Sequence, residues 1–287
     1  MRRFLILAAL LFCAVPARAG ISAVEYVCAN STGSPCQNTA GTSSVTVTLG
    51  TSTTSGEAIV AFTSGGLNGS ACGSLTDSGS QVYSQDSSVQ KFGVSSHYAL
   101  CGWYLCGSAS GITSLTWTYG SGDTKGNATL IVAHATGVAT SGCRDVAANF
   151  ISTSGSPISS GSVTPSSGQN EWFVCPAWNY EGTPFSTSSP WTVRVTSTDG
   201  NGAEVSLIDQ IVSSTSGGYS CPGSWTGGSA GTIAIFTFKG AGGGGGSTPA
   251  PARMMMGCCR LLSFEPHLDD TKRVARPRAP LVPGARS

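Results

Sequence analysis

Ser44-Val45-Thr46-Val47-Thr48-Leu49 alternates apolar and hydroxyl side chains one for one. Successive side chains of an extended chain point to opposite faces. Val45, Val47 and Leu49 therefore line one face while Thr46 and Thr48 line the other. That is the period of a half-buried β-strand. Glu57-Ala58-Ile59-Val60-Ala61-Phe62 follows at once, and the same mix of Val, Ile, Thr and aromatics returns at residues 112–119, 128–135, 171–178, 191–198, 203–212 and 232–239. Clusters of Gly, Ser, Asn and Asp separate these runs. Helical periodicity over ten residues or more is confined to the first residues of the chain. The expectation is an all-β protein, an antiparallel sandwich or barrel of many short strands.

Working outward, Met1 to Ala19 reads as a secretory signal peptide: Arg2 and Arg3 ahead of an apolar run from Phe4 to Val15, then Ala17-Arg18-Ala19 as a cleavage site. That run is too short to span a bilayer, and no other approaches the required length. The chain is thus expected to be secreted, extracellular and without a transmembrane segment. Residues 20–240 form the body, expected as one β-sandwich domain with a long connection at residues 152–170. Residues 241–252, which include Gly242 to Gly246, read as a Gly/Pro linker. Residues 253–287 read as a basic, unstructured tail. The body carries five basic residues against eleven acidic ones, which argues against a nucleic acid partner, because phosphate binding needs clustered Lys and Arg.

Eight cysteines lie in the body: Cys28, Cys36, Cys72, Cys101, Cys106, Cys143, Cys175 and Cys221. An even number in an exported chain is expected to pair as disulfides, and spacing does not decide the connectivity. Cys28 and Cys36 can close a local loop. Cys101 and Cys106 lie an odd step apart in a strand-like run, so they face opposite sides and are not expected to pair with each other. Zinc would need C-x-x-C pairs or histidine partners, which this spacing lacks.

Catalytic signals are weak. Gly227-Gly228-Ser229-Ala230-Gly231 matches G-x-S-x-G, yet a strand-like run follows it where the nucleophile elbow requires a helix. The body histidines, His97 and His134, sit in strand-like segments and read as buried, hydrogen-bonded core residues. Acids such as Glu57, Asp145, Glu171, Glu204 and Asp209 permit a glycosidase pair, although Glu204 and Asp209 face opposite sides of one strand. Asp199, Asn201 and Glu204 could offer oxygens to calcium as a cofactor, while the Asp-Gly and Asn-Gly steps there read more simply as a hairpin turn.

Aromatic residues in turn-rich segments favour binding. Trp178, Asn179, Tyr180 and Glu181 lie in one loop, and Tyr219 and Trp225 flank Cys221-Pro222-Gly223. Rings that stack on sugars, with amide and carboxylate groups beside them for hydroxyls, make these six the expected ligand site. The competing reading is that they cap the ends of the core.

Several segments, taken in order, resemble a family of Gly/Ser/Thr-rich bacterial secreted β-sandwich modules with jelly-roll topology. They are Val45-Thr46-Val47-Thr48, the run Gly56 to Phe62, Leu75-Thr76-Asp77-Ser78 with Tyr83, Trp103-Tyr104, Leu115-Thr116-Trp117-Thr118 and Ile235-Phe236-Thr237-Phe238-Lys239. The chain departs from the family at Ser78-Gly79-Ser80, where a glycine-asparagine pair is usual, and at His134, where an acid is common. The resemblance implies a jelly-roll-like, extracellular sandwich and says little of activity. The expected whole is a disulfide-stapled, non-catalytic binding or surface module, with a glycan or cell-surface polymer as partner. The alternative is a secreted hydrolase acting on polysaccharides or esters.

Overall fold

The computed structural model describes residues 20–30, 36–38, 43–66, 72–86, 90–92, 98–119, 124–146, 149–198, 203–228 and 230–242. The signal segment, His97, Asp199, Asn201, Ser229 and the tail lie outside these residues. Among the described residues all strand pairing is antiparallel except at the short β2 (Gln37–Asn38), and each of the eight runs read as strands is one.

The first half of the body contains β1 (Ser22–Asn30), β3 (Ser44–Thr48), β4 (Ala58–Gly66), β5 (Ser74–Asp77), β6 (Ser84–Gln85), β7 (Gln90–Phe92), β8 (Tyr98–Leu105), β9 (Ser114–Thr118) and β10 (Thr124–Thr136). Its main sheet runs β2-β1-β10-β4-β8-β6, with β7 also on β8, and a small outer sheet runs β3-β9-β5. The second half contains β11 (Asn149–Thr153), β12 (Ile158–Ser159), β13 (Glu171–Asn179), β14 (Thr192–Thr198), β15 (Glu204–Val212), β16 (Pro222–Gly223) and β17 (Gly231–Lys239). Its main sheet runs β11-β17-β13-β15-β14, with β12-β16 outside.

These two orders are the same. Replacing β1, β10, β4, β8 and β6 by β11, β17, β13, β15 and β14 converts one main sheet into the other, and β3-β9 becomes β12-β16. In the first half β1 pairs with β10 and β10 with β4, and in the second β11 pairs with β17 and β17 with β13. The chain is therefore two copies of one sandwich topology, joined through residues 137–148. The turns entering β4 and β13 agree in detail. Gly56 (φ 92°) donates to Ser108 O at 2.8 Å, and Ser108 N returns to Glu57 O at 2.7 Å. Gly168 (φ 76°) donates to Thr215 O at 2.9 Å, and Thr215 N returns to Gln169 O at 3.0 Å. Positive φ favours glycine at both places.

The copies pack main sheet to main sheet, giving four layers with three hydrophobic seams. Val60, Phe62, Leu100 and Ile131 of the first copy meet Trp172, Trp178, Phe236 and Phe238 of the second in the central seam. Phe62 and Phe236 lie 4.9 Å apart, and a side chain on Gly102 would meet the Phe236 ring at 2.7 Å. The first outer seam holds Val45, Val47, Leu115 and Trp117 against Ile59, Ala61 and Leu130. The second holds Ile158, Phe185, Trp191 and Trp225 against Phe173, Cys175, Ile233 and Ile235. Both main sheets are thus covered on both faces, which explains why β13 is buried at all nine residues.

Disulfides join Cys28 to Cys36, Cys72 to Cys101 and Cys106 to Cys143. The chain is disulfide-stapled as expected, the local pair forms, and Cys101 and Cys106 go to different partners. Cys175 and Cys221 stand as buried thiols. Among the described residues no helix is long and apolar enough to cross a membrane.

Candidate functional site

A groove of about 480 Å³ opens between the first copy and the connecting segment. Strand β8 supplies Tyr104 and Leu105, with Cys106 just beyond its end, its edge partner β6 supplies Ser84, and the connection supplies Thr140, Ser141, Gly142 and Arg144. The Cys106–Cys143 bridge ties the two sides together. Tyr104 is half-buried, its ring edge-on to Phe238 at 6.0 Å, so the ring is held from behind by the central seam.

Arg144 is fixed from several sides. Its Nη2 and Nε lie 3.0 and 3.3 Å from Asp86 Oδ2, and its Nη1 donates to Val146 O and, at 3.4 Å, to Thr237 O. The guanidinium sits over the Phe236 ring at 5.1 Å and the Phe238 ring at 5.8 Å. A planar cation held in this way loses little further freedom when it meets a ligand. The wall therefore combines one ring, one oriented cation and the hydroxyls of Ser84, Thr140 and Ser141. Such a surface matches a ligand with an apolar face and a rim of hydroxyls.

The six residues expected to bind a ligand do not gather into one open site. Trp178 is 0% exposed inside the central seam, and Trp225 is 6% exposed against Phe185, with ring centroids 5.3 Å apart. Both are corrected to core residues. Trp225 takes the place in the second copy that Trp117 takes in the first, since Ile158 pairs with Gly223 as Val47 pairs with Leu115. Asn179 is also buried and serves the backbone, donating to Thr183 O and accepting from Glu181 N. Glu181 accepts from Gly228 N at 3.2 Å, and Tyr219 stacks on Phe173 with centroids 4.4 Å apart. Tyr180, 53% exposed, and Glu181 face solvent. A strand that is apolar on both faces looks, in sequence, like an aromatic-rich loop lip.

Glu204, offered for calcium, is 1% exposed and turned inward, where Oε1 accepts from Phe185 N and Ser206 Oγ. Burial holds its carboxyl above the usual value. Thr198 pairs with Glu204 across β14 and β15.

Three charged clusters escaped the sequence reading as clusters. His134, fully buried, has Nδ1 2.6 Å from Glu57 Oε2 and Nε2 3.4 Å from Glu25 Oε2. Burial pushes Glu57 up, but hydrogen bonds from Thr54 and His134 outweigh it and hold the carboxyl below its usual value. Asp209, also fully buried, takes Arg194 Nε at 2.5 Å, Trp172 Nε1 at 3.1 Å and the Tyr26 hydroxyl. Burial and that carboxylate push the Tyr26 phenol far up. Since Tyr26 belongs to the first copy, this cluster pins the copies together.

The third cluster is the pair of carboxylates that hydrolase chemistry would need. Gln169 Nε2 donates to Asp145 Oδ2 and Glu171 Oε2, each at 2.8 Å. Burial and the nearby Asp145 charge raise Glu171 to about 8, and its Oε1 has no hydrogen-bond partner among the described residues. Glu171 is 0% exposed, so a substrate does not reach it in this conformation. Opposite charges at set spacing are the signal that could have found His134 and Glu57, but their contact joins residues 77 apart.

Fold and site together define an all-β, disulfide-bonded tandem sandwich with a hydroxyl-lined groove. Comparison of the chain with protein-family models, curated proteins and solved structures finds no match in any of the three.

Proposed function

We propose that the protein is an exported, non-catalytic binding module whose groove at Tyr104 and Arg144 takes a glycan of a cell surface or extracellular polymer. The single observation that carries this reading is the groove's wall, where a supported ring and a fixed guanidinium share one concavity with three hydroxyls. Sugar rings offer an apolar C–H face to an aromatic ring and hydroxyls to polar neighbours, so the two surfaces are complementary. The signal-like first residues and three disulfides suit an oxidising compartment. Kinship with the secreted bacterial jelly-roll modules that the chain resembles over most of Ser43 to Lys239 belongs to the same reading.

The test is a glycan array on the purified protein, followed by titration calorimetry with the strongest hits. Ser141→Trp, on the exposed rim, fills the groove without touching the core and is expected to abolish binding. Tyr180→Ala removes the exposed ring of the other candidate surface and is expected to leave affinity unchanged. Binding that survives Ser141→Trp but disappears with Tyr180→Ala moves the site to the β13 end. Release of reducing ends or ester products in a parallel substrate panel would replace the binding reading with the hydrolase one.

A further inference from the structure

Cys175 and Cys221 are both 0% exposed and belong to the same seam between β13 and the outer layer of the second copy. Within that seam each thiol is close enough to feel the other. Cys221 is held in place through its backbone, with N donating to Ser160 Oγ at 2.8 Å and O accepting from Ser160 N at 2.9 Å. The first copy shows what such a position does. There Cys72, just ahead of β5 in the outer sheet, is bonded to Cys101 on β8 of the main sheet.

The repeat relates these two places. The shared turn puts Glu57 in register with Gln169, so Thr63 corresponds to Cys175, and the cross-strand neighbour of Thr63 is Cys101. In each copy one cysteine of the outer layer thus faces one of two adjacent positions on the main sheet. We propose that Cys175 and Cys221 close a fourth disulfide, which ties the outer layer of the second copy to its main sheet as Cys72–Cys101 does in the first.

Closure breaks two S–H bonds and forms one S–S bond. The two electrons and two protons pass to an oxidising disulfide, which leaves as a dithiol after exchange through a mixed disulfide. Burial and the neighbouring thiol hold Cys175 well above the usual thiol value, so the thiolate that must attack is scarce once the seam has closed. The bond is therefore made during folding, while the outer layer is still open.

Full-length protein made in an oxidising compartment is unfolded in denaturant with N-ethylmaleimide and no reductant, digested and mapped by mass spectrometry. The expected result is a peptide linking Cys175 to Cys221, with neither residue alkylated. Alkylation of both, or linkage of either to another cysteine such as Cys258 or Cys259, overturns the proposal. Folded protein with those two thiols reduced is expected to resist alkylation and oxidation until denaturant is added. Rapid closure in the folded state would contradict the order of events. Cys221→Ser supplies a check that does not depend on mapping the bridge: Cys175 then becomes alkylated in denaturant, whereas its alkylation in the wild type alone is enough to reject the bond.

Discussion

The same corner is built differently in the two copies. In the first, the turn at Gly56 delivers Glu57 to His134 on β10, and Glu25 closes on the other ring nitrogen. Glu25 in turn accepts from the backbone of Gly50 and Thr51, so charge, main sheet and outer layer are sewn into one network. In the second, the turn at Gly168 delivers a neutral Gln169 in place of Glu57, and the strand position of His134 is occupied by Lys239. The carboxylate there is Glu171, buried beside Asp145 and raised to about 8. One corner pays for its buried carboxylates with a ring between them, whereas the other shares a single amide between two acids. Equal backbone geometry therefore does not impose equal electrostatics; the side chains at three positions decide it.

The comparison is broken most severely at His134. His134→Ala leaves Glu57 and Glu25 facing an empty space at the end of a seam, and leaving a buried carboxylate without its partner costs about 3–5 kcal/mol. Urea unfolding at pH 7 should show that loss. It should also show a shallower acid limb, because Glu57 is held low in the folded state. Its contribution is present above its unfolded value and lost as pH falls through the folded one. An unchanged midpoint would mean that the network carries no stability.

The second copy predicts the opposite slope. Glu171 is raised when folded, so its proton is retained by the native state; stability is full below the unfolded carboxyl value and declines as pH rises toward about 8. Glu171→Gln keeps shape and hydrogen bonding without the charge. It should leave stability at pH 5 unchanged and raise it at pH 9 by about 2–4 kcal/mol. Parallel unfolding curves for variant and wild type across that range would remove the claim that Glu171 titrates late.

The smallest effect tests the equivalence itself. Gly56→Ala and Gly168→Ala each place a β-carbon on a left-handed backbone with room around it, the nearest atom being Thr140 Cγ2 at 3.5 Å in the first and nothing within 4 Å in the second. Each should cost about 1–2 kcal/mol from conformation alone. Similar losses at both turns would confirm that they are the same device; a loss at one turn only would separate them.

Much of this fold was legible one strand at a time. Alternation found β3 and β9, and apolar or β-branched runs found β4, β10, β13, β14, β15 and β17. Strand β1 was missed because Ser22-Ala23-Val24-Glu25-Tyr26 alternates without a clean apolar face, one side being met by Asp209 and the other by His134. The outer strands β12 and β16 are two residues each, too short for any period to register. The repeat left traces, among them Trp117-Thr118 against Trp225-Thr226, but sheet order is what makes them equivalent. As for the site, Tyr104 reads in sequence only as part of a strand and Arg144 only as a scattered charge, since 40 residues separate them and the fold, with its Cys106–Cys143 bridge, brings them together.

Local pattern was enough for the all-β class, the strand positions and the supply of cysteines, because side-chain alternation and turn chemistry act over a few residues. Three things needed the folded chain: that two copies face each other, which tryptophans are swallowed between them, and which cysteines meet. These depend on contacts such as Tyr26 with Asp209, 183 residues apart. Burial on a second face is a property of what packs there, and no strand carries that information within its own sequence.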